Sequence, residues 1–235
     1  MGAVLEMRNA LAALTVASLV LVGACSNQTD HGTLLKTVTA GAKGKLKLRR
    51  GAKTATPATP DVAAMVSESL ARTTKPLALV VIENRNSIAV LTQIGANQGY
   101  RTWASADRRS ITMTYGVVTA TRGLGFDLMS ADVSGSLPTV RARKSGATSR
   151  TLRFLNGENQ IVATTYTCRA KAGGALTIAL GEVNSPARTV IETCQSGAES
   201  YENTYQVSPS GVVLQSRQWL GPTNGYLVTQ ALRLE

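Results

Sequence analysis

"TLRFLNGENQIVATTYTCRA", residues 151–170, decides the fold class. Thr151 to Leu155 is a short run of β-branched and aromatic side chains, and Ile161 to Ala170 is a second. Between them stand Asn156 and Gly157, the dipeptide that turns a strand back on itself most readily because both residues tolerate positive φ. The stretch therefore predicts an antiparallel hairpin.

Working outward in both directions, the same texture recurs. Upstream lie "LALVVIE" (77–83), "IAVLTQI" (88–94), "GYRTWAS" (99–105), and "ITMT" and "VVTAT" flanking Tyr115 and Gly116 as a further hairpin. Downstream lie "LTIAL" (176–180), "RTVIETC" (188–194), "YENTYQV" (201–207), "VVLQSRQWL" (212–220) and "GYLVTQALRL" (225–234). Roughly a dozen short runs with hardly any helical spacing between them specify an all-β antiparallel meander rather than βαβ units. Alternation adds that one sheet face is buried and the other wet. Ile111, Met113 and Tyr115 share a side opposite Thr112 and Thr114, and Tyr226, Val228, Leu232 and Leu234 stand opposite Thr229 and Arg233.

One helix precedes the meander. In "TPDVAAMVSESLART", Thr59 is the expected N-cap, Pro60 the first helical residue and Asp61 a first-turn acid, while Val62, Met65, Val66 and Leu70 fall on one face. Before it, residues 25–58 are rich in Thr, Gly, Ala and Lys without an apolar period and read as a flexible basic linker. Residues 1–24 read as a lipoprotein signal peptide: Arg8, an apolar run from Ala10 to Val22, then "VGAC" with Cys25 as the thiol that carries the lipid. Met7 followed by Arg8 makes a cleaner start than Met1, so both stand as initiators. The apolar run is too short to span a bilayer comfortably. Three acyl chains, palmitate among them, hold a protein on a membrane where one would not. Ser26, not aspartate, follows the cysteine, which favours the outer membrane.

Export to an oxidising compartment bears on the other thiols. With Cys25 lipidated, Cys168 and Cys194 remain, and the simplest outcome is one disulfide; two separate buried thiols are the alternative. If 161–171, 176–180 and 188–195 are three successive strands, the two cysteines sit on next-but-one strands, roughly 9.5 Å apart and beyond disulfide reach. A short middle strand or a sharp local curl is then required.

The formal net charge is +11. Lys36, Lys43, Lys45, Lys47, Arg49, Arg50 and Lys53 form an acid-free run, whereas beyond Lys53 there are 17 basic against 12 acidic residues. A nucleic-acid arm does not fit an exported lipoprotein, so anionic lipid, lipopolysaccharide or acidic polysaccharide is the fitting partner for the run, and a merely solvated linker the alternative.

Catalytic arrangements are scarce. The sole histidine, His31, lies in the linker, which removes histidine-based triads and metal sites from the domain at 59–235. "RGLGFDL" fails as a dinucleotide fingerprint, because a pattern begun at Gly123 finds Leu128 where glycine is needed. Gly123 and Gly125 are better read as bend residues, with Gly116 in its hairpin turn and Arg122 paired to Asp127 across the bend. Asp127, Asp132, Glu182, Glu192 and Glu202 could supply a glycosidase pair, but nothing singles two of them out. Trp103 and Trp219 are candidate sugar platforms or core rings in a chain that is only 4% aromatic. No cofactor or metal is expected.

Taken together, "TYGVVTATRGLGFDLMSAD" with Trp103 ahead of it, "YENTYQV", "GVVLQSRQWLGPTNGYLVTQAL" and the lipobox resemble the YjbF/GfcB family of outer-membrane lipoproteins, whose genes accompany exopolysaccharide and group 4 capsule secretion. The likeness covers roughly residues 55–235 and departs from the family pattern at Phe126 and in the long basic linker. It implies a meander curled into a half-barrel, no catalytic residues, and a periplasm-facing accessory role in which polysaccharide or an export protein is the partner. A carrier of a hydrophobic or lipid-linked ligand on the concave face is the second expectation, and a glycoside-active enzyme with two facing acids the third.

Overall fold

A computed structural model describes residues 61–234. Helix α1 (Val62–Arg72) opens it. Its N-cap is Asp61, two residues later than expected at Thr59: the Asp61 carboxylate accepts from the Ala64 N–H at 3.1 Å while its own backbone stays extended. A carboxylate caps as well as a hydroxyl and also complements the helix dipole. The expected signal segment, Cys25, the basic linker and Thr59 lie outside the described residues.

Twelve antiparallel strands follow: β1 (Leu77–Ile82), β2 (Ser87–Asn97), β3 (Tyr100–Ala104), β4 (Ser110–Thr114), β5 (Val117–Arg122) and β6 (Ser130–Asp132), then, after a one-turn helix α2 (Leu137–Arg141), β7 (Gly146–Leu155), β8 (Ile161–Leu180), β9 (Val183–Ser196), β10 (Glu199–Val207), β11 (Val213–Trp219) and β12 (Tyr226–Arg233). The sheet order is β5-β4-β3-β2-β1-β12-β11-β10-β9-β8-β7-β6. Each neighbour is next in the chain except β1 with β12, which pair Val80 to Thr229 and Val81 to Val228. First and last strands thus meet mid-sheet, and the edges are β5 and β6, consecutive in the chain.

The stretch 151–170 forms the β7–β8 hairpin, with Phe154 opposite Val162 and Leu155 opposite Ile161. Asn156 works differently from a two-residue turn. Its side chain accepts from the N–H groups of Glu158 and Gln160 at 3.0 and 2.9 Å, and Asn159, at φ +59°, supplies the left-handed residue.

The break expected between residues 171 and 176 is a bulge at Ala172–Ala175 inside one twenty-residue strand, β8. The extra length lets the β8–β9 tip bend over to β12, where the Glu182 N–H donates to the Leu232 carbonyl at 2.8 Å and Arg233 pairs with Glu182. Ile178, Val183 and Ala187 pack there against Leu214.

The expected wet face also fails locally. β1 is buried nearly throughout, because the core lies on one side of it and α1, which packs on β1, β2 and β12, on the other. Thr229 on β12 therefore points into the interior, 5% exposed, with its hydroxyl 2.7 Å from that of Ser216.

The inner face holds one continuous core drawn from both halves of the sheet, including Val80, Ile82, Trp103, Ile111, Val118, Leu152, Tyr166, Val190, Tyr205 and Leu227. The halves touch across it. Gln218 on β11 accepts from the Val118 N–H at 2.9 Å and donates to the Gly116 carbonyl at 3.0 Å. Gly116, at φ +86°, lies so close to β11 that a Cβ there would stand 2.5 Å from the Val213 carbonyl oxygen. Gly116→Val combines that overlap with left-handed strain, and a fall in thermal stability of at least ~2 kcal/mol is expected from melting curves, against little change for Gly157→Ala, where nothing lies within 4 Å of the added Cβ.

Candidate functional site

Three groups of side chains carry the chemistry of the molecule. The first is the seam where the sheet almost closes. Residues 123–129 run from one edge strand to the other: the Thr121 N–H donates to the Leu128 carbonyl at 2.9 Å, and the Met129 N–H to the Arg153 carbonyl at 2.8 Å. Leu124 and Leu128 enter the core. Gly123 and Gly125, at φ +81° and +91°, turn backbone N–H groups inward. The Asp127 carboxylate accepts from the N–H groups of Gly123 and Leu124 at 2.8 and 3.0 Å and from the Thr121 hydroxyl at 3.0 Å. An anion cradle is present, and the chain's own carboxylate fills it. Arg122 does not pair with Asp127 as the spacing suggested; it donates to the Thr121, Leu128 and Met129 carbonyls, because Asp127 points at the amides and leaves those oxygens to the guanidinium.

The second group is a buried polar cluster on the inner face of β7, β9 and β10. Glu192, with no exposure, accepts from the Thr148 hydroxyl (2.9 Å), Arg150 (3.2 Å), the Tyr205 hydroxyl (3.0 Å) and the Asn203 amide (3.4 Å). Arg150 also donates to the Tyr205 hydroxyl. Burial opposes the charge on Arg150, yet Tyr205 and Glu192 beside it raise its pKa above the ordinary value. Asn203 spends its oxygen on the Trp219 N–H at 2.8 Å, tying β10 to β11. Next to this cluster Cys168 and Cys194 are bonded, directly opposite each other on β8 and β9 with Cα atoms 4.0 Å apart. The expected intervening strand and curl are absent here, because β8 runs unbroken past β9. Ligand atoms of Cys168, Glu192 and Cys194 gather within 4.8 Å. The disulfide and the four donors on Glu192 occupy them.

The third group is a row of rings at one end of the interior. Tyr166 meets Tyr201 edge to face at 4.9 Å, Tyr201 stacks on Trp219 at 6.0 Å, and Trp219 tilts against Tyr226 at 5.1 Å. Arg217 lies 3.3 Å above Tyr226 and forms a bidentate pair with Glu83. Both tryptophans are thus built into the packing: Trp103 is 7% exposed, and the Trp219 indole N–H is buried without a hydrogen-bond partner. Burial, reinforced by the hydrogen bond to Glu199 for Tyr166, raises the phenols of Tyr166, Tyr201 and Tyr205 above their ordinary value. A raised folded-state pKa means that this stabilisation is complete below the unfolded value, near pH 10, and is lost as pH rises beyond it. In an alkaline absorbance titration these three of the six tyrosines should stay protonated through pH 10 and ionise only as the protein unfolds.

The carboxylates considered for catalysis are dispersed. Asp127 is held at the seam, Asp132 accepts from the Ser134 hydroxyl and N–H, Glu182 pairs with Arg233, Glu192 is enclosed, and Glu202 is exposed on β10. Glu192 is legible in the sequence as a candidate acid, but its partners are not named by any local motif. The signal was present: Thr148 and Arg150 share the parity of Leu152, so an arginine sits in phase with a core leucine.

Cavities lie along β1–β4, the first of them reaching β11 and β12 at Val213, Leu214, Thr229 and Ala231. One of about 330 Å3 is lined by Ala78, Gln93, Trp103, Met113 and Leu214 among others, and one of about 310 Å3 by Val80, Ile82, Leu91, Ile111 and Leu124 among others.

The fold agrees with the comparisons. The model of the family described as Group 4 capsule polysaccharide lipoprotein gfcB, YjbF matches residues 29–232. The chain belongs to this family of capsule polysaccharide lipoproteins. In the crystal structure of a hypothetical lipoprotein, YmcC, from Escherichia coli (K12), the same fold recurs with a TM-score of 0.63 at 20% identity, over 74% of this chain and 91% of that one. No curated protein matches the chain. Among the described residues no helix is long and apolar enough to cross a membrane.

Proposed function

We propose that this chain is a non-catalytic accessory protein, lipid-anchored through Cys25 to the inner leaflet of the outer membrane and facing the periplasm, which supports the production or export of capsule polysaccharide by contacting the polymer or an export protein. The observation that carries this reading is the family match over residues 29–232. The chemistry agrees with it: the acidic side chains weighed for catalysis are spread over the seam, the β8–β9 tip, the interior and the outer face rather than facing one another across a cleft. Deleting the gene and quantifying surface polysaccharide tests it. Loss of polymer, restored by the wild-type gene and not by Cys25→Ala, is the expected result; unchanged polymer overturns the reading.

A second reading has its own observation. The cavities along β1–β4 are of a size that takes small ligands, and their walls are mainly apolar. A hydrophobic or lipid-linked molecule held there would co-purify and appear in native mass spectra. Protein free of any such mass, after gentle extraction, removes it.

A further inference from the structure

The fold engages most of its cations internally or at the ends of strands. Arg150 pairs with Glu192, Arg217 with Glu83, Arg233 with Glu182, Arg109 with Asp107 and Arg72 with Glu68. Arg85 donates to Asn224, Arg122 to carbonyls, and Arg141 lies over Tyr115. A different group is left over. Arg143 and Lys144 lead into β7, Arg169 and Lys171 stand mid-β8, and Arg188 is on β9, and among the described residues none of them has an ion-pair partner.

Register brings these residues into one band across three strands. Gly146 pairs with Ala170, Lys171 with Ile191 and Ala175 with Arg188, while the Ala172 N–H donates to the Ser145 hydroxyl at 2.9 Å, holding the start of β7 beside Lys171. Lys144, Arg169, Lys171 and Arg188 are exposed. On β10 alongside, Thr204 to Val207 carry no acid, the exposed Glu202 stands one strand beyond Arg169 across Thr193, and Glu192 within the band points inward to Arg150. Like charges in such proximity repel unless an anion lies between them.

The surroundings say which anion. Towards the β7–β8 turn the exposed side of the strands continues as Ser149, Thr165, Thr167 and Thr193, with the hydroxyls of Thr151 and Thr165 2.9 Å apart, and the exposed Ile161 stands only at the far end of β8, away from the cations. Among the described residues, helix α1 covers β1, β2 and β12, on the other half of the sheet from this side. Hydroxyls beside cations suit a chain of carboxylated sugars, whereas a lipid surface calls for large apolar side chains beside the cations. We propose that the Arg143–Lys144, Arg169–Lys171 and Arg188 band on β7–β9 is a docking surface for an acidic polysaccharide. The proposal rests on the capsule reading above and names the polymer's charge and the face that meets it.

The test uses the full chain and three probes: polygalacturonate, neutral dextran, and phosphatidylcholine vesicles containing phosphatidylglycerol. Arg169→Gln, Lys171→Gln and Arg188→Gln are combined in one variant. Arg72→Gln, Lys75→Gln and Arg108→Gln, exposed residues elsewhere, form a variant of equal charge change. Unchanged melting shows that both are folded. The band variant should bind polygalacturonate at least about tenfold more weakly than wild type, the control variant within about twofold, and dextran should not bind. Equal losses in both variants, or none in either, would overturn the proposal by assigning the affinity to net charge or to the basic run at 36–53. Loss of vesicle binding with polygalacturonate binding intact would overturn it in favour of a lipid surface. Any of these failures leaves surface polymer in the deletion strain as a separate result.

Discussion

Arg150→Met is expected to destabilise the protein by about 3–5 kcal/mol, the largest effect of any single substitution outside the glycines. The reason is what it leaves behind. Glu192 stays fully buried and loses the cation that offsets its desolvation, while Tyr205, Thr148 and Asn203 supply only neutral donors. Urea denaturation of the variant measures the loss. Arg150→Met with Glu192→Met is expected to recover most of it, since removing both partners of a buried pair costs far less than removing one. A double variant as unstable as the single one would show that the cluster acts through shape rather than charge.

Replacing both Cys168 and Cys194 by alanine should cost about 3.5 kcal/mol, from the entropy of a crosslink spanning 26 residues in the unfolded chain. Both cysteines are buried, 4% and 0% exposed, so reductant added to the native protein should leave them bonded, and the same reductant added in denaturant should reproduce the alanine variant on refolding. A loss under 1 kcal/mol would mean that the β8–β9 ladder already holds the two strands in register without the bond. Cys194 and Glu192 are next-but-one on β9, so the two effects are not expected to add.

The strands were legible because their signals are local. Alternation, turn dipeptides and β-branched runs mark Leu77–Ile82, Ser110–Arg122 and the hairpin at 151–170 within a few residues each. Local signals mislead where a distant surface decides. Nothing near residue 172 shows that the chain continues as β8, because the reason lies sixty residues on, at Leu232 and Arg233. Thr229 looks like a solvent residue until Ser216 is in place beside it on the inner face. Gly123 and Gly125 announced a bend, but not that Asp127 would close it from inside.

By itself the sequence determined most of the strands and the first helix, the class of fold, the family and the pair of cysteines available for a bond, since each of these depends on residue types and spacings along the chain. Only the tertiary structure decided that β1 pairs with β12, that the edges β5 and β6 are drawn together through residues 123–129, that Arg150 and Glu192 meet inside, and that the unpaired cations of β7, β8 and β9 share one band. Those are contacts between residues far apart in the chain. They follow from the twist that curls the sheet and from the cost of leaving a buried charge without a partner.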